Sequence, residues 1–169
     1  VNTDNFQKGI ETFTEFLSQE PGNLFALIGI ADAFLAMDNL VDADKFFREA
    51  LVIDKDNNEA NTGLAFISML RHDQFSSLVF LRRVIGREET DYNFLAHQLN
   101  ITFKRTSLPE FLLFYAISQY YLRNREQFNI SVERLASIDQ LWVRKITELV
   151  PKLKSDKHYS AIMRKYLIK

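Results

Sequence analysis

Three histidines, two adjacent glutamates and a basic, aromatic C-terminal half are the residues from which this chain could build chemistry. His72, His97 and His158 lie far apart, and none has a carboxylate or second histidine at metal-ligand spacing. His72-Asp73 reads as a polar pair in a turn, and His97 as a solvated helix residue. Glu88 and Glu89 are neighbours, so on a helix they point apart, and at a helix start they favour the macrodipole. The five glycines form no phosphate-cradling loop, and there is no Gly-x-Ser-x-Gly, His-Glu-x-x-His or EF-hand spacing. Zero cysteines remove thiol catalysis, disulfide scaffolds and cysteine-ligated zinc together. Asn100-Ile101-Thr102 and Asn129-Ile130-Ser131 match glycosylation acceptors, yet both fall inside predicted helices. The expectation is a non-enzyme with no catalytic residue, no metal site and no cofactor.

The C-terminal half interleaves Arg82, Arg83, Arg87, Lys104, Arg105, Arg123 and Arg125 with Tyr92, Phe103, Tyr120, Tyr121, Trp142 and Tyr159. Cations neutralise phosphates and aromatic faces stack bases, so this mixture is what a nucleic-acid surface uses. The aromatics recur at helix-core spacing, however, and the chain as a whole carries a formal charge of −1, which weighs against nucleic acid as partner. That total hides an asymmetry. Residues 1–75 hold 13 acids against 5 bases, a balance of −8, and residues 76–169 hold 9 against 16, a balance of +7. Such blocks bear on association and on the steering of a charged partner.

The elements that must position these residues are helices. In 169 residues there are only 5 glycines and 3 prolines, so tight turns and chain breaks are few. Hydrophobic residues make up 47% and charged residues 25%, which suits a folded domain that needs no metal or disulfide staple. No apolar run approaches the ~20 residues of a membrane span, and Leu24 to Met37 is interrupted by Asp32. The reading is a soluble protein whose compartment the sequence leaves open, cytoplasm slightly favoured over periplasm, with a membrane not expected as partner. The start at Val1 suggests a trimmed or processed fragment. The apolar period places helices over 5–19, 24–37, 40–53, 58–70, 73–86, 90–105, 108–123, 125–138, 140–150 and 157–168. Ser107 and Glu110 form a capping box for the seventh, and Pro151 ends or kinks the ninth.

Self-comparison aligns residues 5–20 with 39–54 at an offset of 34. Gly9 falls with Ala43, Phe13 with Phe47 and Leu17 with Leu51. In this the chain resembles the tetratricopeptide repeat family, whose unit is a 34-residue helix–turn–helix. Leu27, Ile30, Ala31 and Phe34, then Ala43, Phe47 and Ala50, stand at that family's large, small and aromatic positions. The closing proline is Pro21 in the first half-unit and is replaced by Lys55 in the next. Asn61 and Ser68 occupy positions where large residues are expected, so the third unit is degenerate, and beyond Asp91 only the helical period survives.

The resemblance implies an all-α, right-handed superhelix of helix pairs with divergent C-terminal helices. Repeats would fill residues 1–91, as a half unit (1–23), a full unit (24–57) and a degenerate unit (58–91). Residues 92–169 would form a divergent capping region packed as one continuous domain with them. The first helix of each pair would line a concave face, which places Phe25, Ile28, Asp32, Leu35, Thr62, Phe66 and Met69 in a groove, either open or filled as core by the C-terminal helices folding back. Gly29 and Gly63 would let a ligand backbone approach. The Lys, Asn and Arg clamp with which some relatives hold acidic chaperone tails is absent: Ile28, Asp32, Gly63 and Phe66 stand there. A hydrophobic peptide or amphipathic helix suits such a lining better.

Phe6, Phe13 and Phe16 lie on a first helix that lacks the partner expected before it. Exposed together they would make an unstable surface, so either an upstream segment or a second copy would cover them, and self-association through them is the second reading. At the other end Tyr159, Ile162, Met163 and Tyr166 form a stripe suited to a capping helix. The expected function is a protein-interaction module or assembly scaffold with a protein or peptide partner and a possible homo-oligomeric state.

Overall fold

A computed structural model describes residues 3–167. Within them the chain is all α-helical: α1 (Thr3–Gln19), α2 (Leu24–Ala36), α3 (Leu40–Ile53), α4 (Asn58–Leu70), α5 (Gln74–Val84), α6 (Tyr92–Thr106), α7 (Pro109–Tyr121), α8 (Arg125–Ile138), α9 (Gln140–Leu149) and α10 (Ser160–Leu167). A 3-10 turn at Pro151–Lys154 follows α9, because Pro151 cannot continue its ladder. Each helix falls where the apolar period places it, although α10 starts three residues late and residue 168 lies outside the described residues, as does Val1. The chain divides between Val84 and Ile85 into two compact units.

In the first unit, consecutive helices pack as antiparallel neighbours, α1 on α2, α2 on α3, α3 on α4 and α4 on α5, and α2 also touches α4. Their ends follow from local chemistry. Asn23, Asn39 and Asn57 accept from the backbone N–H of Ala26, Asp42 and Ala60, and Asp73 accepts from Ser76 N–H. A carboxamide or carboxylate at the N-cap satisfies one of the free donors of the first turn. These caps repeat at the 34-residue period, Asn23 with Asn57 and Asn39 with Asp73. The turns inside the pairs repeat too. Asp38 and His72 adopt left-handed backbone (φ 60° each), and the next residue's N–H bonds back to Phe34 O and Ser68 O at 2.9 Å.

The core of this unit is built from Ala26, Leu27, Ile30, Ala31, Ala43, Phe47, Ala50, Leu64, Ala65 and Ile67, all essentially buried. Asn61 and Ser68, polar where the repeat pattern asks for bulk, are buried and satisfied. Asn61 Nδ2 donates to Lys55 O and Asn57 O, its Oδ1 accepts from Arg83, and Ser68 Oγ donates to Leu64 O at 2.7 Å. Buried polar groups that are fully paired cost little, which is how a degenerate unit still packs.

The first helix departs from expectation. Phe6, Phe13 and Leu17 are half-buried against Ile10, Ile30 and Ala33 of α1 and α2. The phenylalanines read as lacking a preceding partner are largely covered by the helix that follows; Phe16 alone stays 52% exposed. The physical reason is that an apolar stripe fixes which face is buried, not which neighbour buries it.

In the second unit α7 is buried from Phe111 to Tyr120 except at Tyr115, packed by α6 and α8 and touched by α9. The left-handed turn returns at Arg123 (φ 57°), where Asn124 N–H bonds to Gln119 O and Asn124 caps α8. The capping box at Ser107 does not form. Ser107 is the left-handed C-cap of α6 (φ 57°), and α7 opens on Leu108 with Pro109 at its first position and no side-chain cap. A proline holds the preceding residue extended, so Leu108 takes the N-cap place and Ser107 is one residue too early. The rings of Tyr92 and Tyr121 stack at 4.4 Å, and their hydroxyls donate to Arg87 O and Gly86 O. Gly86 holds φ 90° against the carbonyl of Leu149, a conformation and closeness that call for glycine. At the far end Tyr159 and Met163 bury themselves before and along α10, which packs on α8 and α9.

Candidate functional site

The face formed by α2 and α4 carries the residues singled out as a groove, and the structure sorts them. Phe25 is 76% exposed, with Phe13 edge-on beneath it at 5.6 Å. Asp32, two turns further along α2, is exposed, and Leu35 is half-buried. On α4, Glu59 and Leu70 are exposed, while Thr62 and Phe66 are half-buried, with Thr62 Oγ1 donating to Asn58 O. These side chains recur every three or four residues, so each helix presents one stripe.

Ile28 and Met69 do not belong to that surface. They are 6% and 4% exposed and act as core. Their places at the edge of the apolar arc let neighbouring elements cover them, which helical spacing alone cannot distinguish from a groove lining. Gly29 and Gly63 are filled as well. A Cβ at Gly29 would overlap the ring of Phe13, and one at Gly63 would overlap the ring of Phe47. The glycines therefore admit an aromatic ring of the preceding helix rather than a ligand backbone.

The electrostatics of the face are set by its two carboxylates. Partial desolvation, and then the charge of Glu59, push the Asp32 carboxyl up to about 6. Asp32 makes no hydrogen bond or ion pair with another described residue. The arrangement offers an acidic spot between apolar patches at Phe25, Phe66 and Leu70. Only the alternation of Asp32 with Phe25 on one stripe signalled it in the sequence.

Other positions raised by the sequence lie elsewhere. His72, His97 and His158 are exposed at separate places, and no three His, Cys, Asp or Glu among the described residues stand together to hold a metal ion. Phe103, Tyr120 and Tyr159 are buried, so their faces are spent on core packing. Several cations of that half are engaged: Lys152 pairs with Glu88, Lys165 with Glu133 at 3.3 Å, Arg134 lies over Phe103 at 4.9 Å and Lys145 over Trp142 at 3.9 Å. No described helix is long and apolar enough to cross a membrane.

No protein-family model matches the sequence, and no curated protein matches it. Among solved structures the chain is similar to the crystal structure of MamA protein, with a TM-score of 0.59 and 14% identity over 91% of this chain and 87% of that one. The likeness is one of fold: successive helix pairs of tetratricopeptide-like type.

Proposed function

We propose that the chain is a tetratricopeptide-type interaction module that docks one amphipathic protein segment on the α2–α4 face, and that it acts by binding rather than by catalysis. The observation that carries this reading is Phe25, a large ring 76% exposed on the stripe that also bears the unpaired Asp32. A monomer gains nothing by leaving such a ring in water, and burying it against a partner is worth on the order of 2 kcal/mol. Asp32 and Glu59 together specify a lysine or arginine between the apolar contacts of the partner, because opposite charge restores the ionised state that this face disfavours. The scaffold role follows from one segment held by one repeat face.

The test is selection of random peptides by display against the intact chain. Enriched sequences should place a basic residue between apolar ones and should lose about tenfold in affinity for Phe25→Ser and for Asp32→Lys. Enrichment without a basic residue, or binding indifferent to both variants, would contradict the proposal.

A second reading, self-association, rests on Phe16. This ring is 52% exposed and borders a shallow hollow of about 200 Å³ with Thr12, Glu15 and Gln19 on α1. Solution mass against concentration tests it: a mass that rises with concentration and falls for Phe16→Ser supports the reading, and a concentration-independent monomer removes it.

A further inference from the structure

The second unit holds a recess of about 550 Å³ lined by Arg123, Arg125, Asp156, His158 and Tyr159. It opens where the α7–α8 turn meets the turn that precedes α10. Arg123 sits at the left-handed position of the first turn, its guanidinium over the Tyr120 ring at 5.5 Å. Its Nη1 donates to Asp156 Oδ2 at 3.1 Å. Asp156 is fully engaged: it also accepts from the Tyr120 hydroxyl at 3.2 Å and from His158 N–H at 3.0 Å. The one acid of the recess is thus spent on orienting Arg123 and the backbone.

What is left over are donors. The side chains of Arg125 and His158 are exposed and make no hydrogen bond or ion pair with a described residue. Tyr159 is the more telling residue. It is only 2% exposed, wedged edge-on against Tyr120 and Phe128 with ring centroids at 5.0 Å each. Its hydroxyl makes no hydrogen bond with a described residue and is left to the recess, where Arg123, Arg125 and Asp156 all lie within electrostatic reach of it.

We propose that this recess binds a small oxyanion, a carboxylate or phosphoryl group, which accepts from the Arg123 and Arg125 guanidiniums and from the Tyr159 hydroxyl, with His158 at the rim. The guanidinium fork matches the paired oxygens of either group, and the excess of cations over the single engaged acid gives the charge. The site is independent of the α2–α4 face and stands or falls separately from it.

The probes are inorganic phosphate and a short blocked peptide of aspartates, each titrated into the intact chain and followed by calorimetry. Arg125→Gln removes an exposed donor, and Tyr159→Phe removes the hydroxyl while keeping the packed ring; Arg144→Gln, on an exposed part of α9, is the control. Saturable phosphate binding that weakens about tenfold for Arg125→Gln and several-fold for Tyr159→Phe, but not for the control, assigns the site to a free or esterified phosphoryl group. Tighter saturable binding of the peptide with the same dependence, competed by phosphate, assigns it to a carboxylate of a protein. A linear, salt-like response to both probes, or equal binding by all variants, would overturn the proposal.

Discussion

The ring of Phe47 lies against the backbone of Gly63, so close that a Cβ there would overlap it. One repeat earlier Phe13 stands in the same relation to Gly29. An aromatic on the second helix of one pair and a glycine on the first helix of the next make a ball and socket, and this joint sets the stacking of the first unit.

The two sockets differ in how much their rings can yield. Phe47 is buried, whereas Phe13 is half-buried and can swing toward solvent. Gly63→Ala should therefore lower stability by about 1–2 kcal/mol, the overpacking cost less the helix-propensity gain of alanine. Gly29→Ala should be close to neutral. Thermal or denaturant melts check the order, and a larger loss at Gly29 would contradict the joint.

Asn61 is the residue that makes the third repeat look degenerate. Asn61→Leu brings the sequence nearer the repeat pattern, yet it should destabilise by about 1–3 kcal/mol, because Lys55 O and Arg83 lose their partner and Asn57 O keeps only the backbone N–H of residue 61. A stabilised variant would show that the network is dispensable.

Ser107 separates two accounts of the α6–α7 junction. As a left-handed C-cap it tolerates alanine at a cost of a few tenths of a kcal/mol, and Ser107→Gly should stabilise by up to about 1 kcal/mol. Asn57→Ala, which removes a working cap, should cost about 1 kcal/mol. Equal losses at the two alanine variants would restore the capping box.

Asp32 gives the α2–α4 face a pH signature. Its folded-state pKa of about 6 lies above the ordinary carboxylate value, so between these two values the folded chain binds more protons than the unfolded one. Its contribution to stability consequently falls as pH rises from about 4 to about 6. Asp32→Asn should flatten that slope and stabilise slightly at neutral pH, by less than about 1 kcal/mol since the group is exposed. A basic partner should bind more tightly as pH rises through the same window, which a pair of titrations at its ends can check.

Most of the fold was legible because its signals are local. Scarce glycine and proline, the apolar period and the 34-residue offset place every helix, and Pro151 ends α9 as its missing N–H demands. The repeated caps at Asn23, Asn57, Asn39 and Asp73 were equally readable and would have extended the period into the third unit. Contacts between helices were not legible. The spacing that marks Ile28 and Met69 as surface also suits core, and nothing in the run around Gly29 says that Phe13 fills it. The oxyanion recess escaped sequence reading because Arg123, Arg125 and Tyr159 meet only when two distant turns come together.

On the proposed docking face Asp32 and Phe25 hold a basic, amphipathic segment. Its most direct test is a charge-swap cycle with a display-selected peptide: affinities are measured for the chain with Asp32 or Asp32→Lys against the peptide with its lysine or with glutamate in that place. Each single reversal should weaken binding and the double reversal should restore much of the loss, a coupling of about 1 kcal/mol or more. Strictly additive losses would show that the two charges do not meet, and would contradict the docking face.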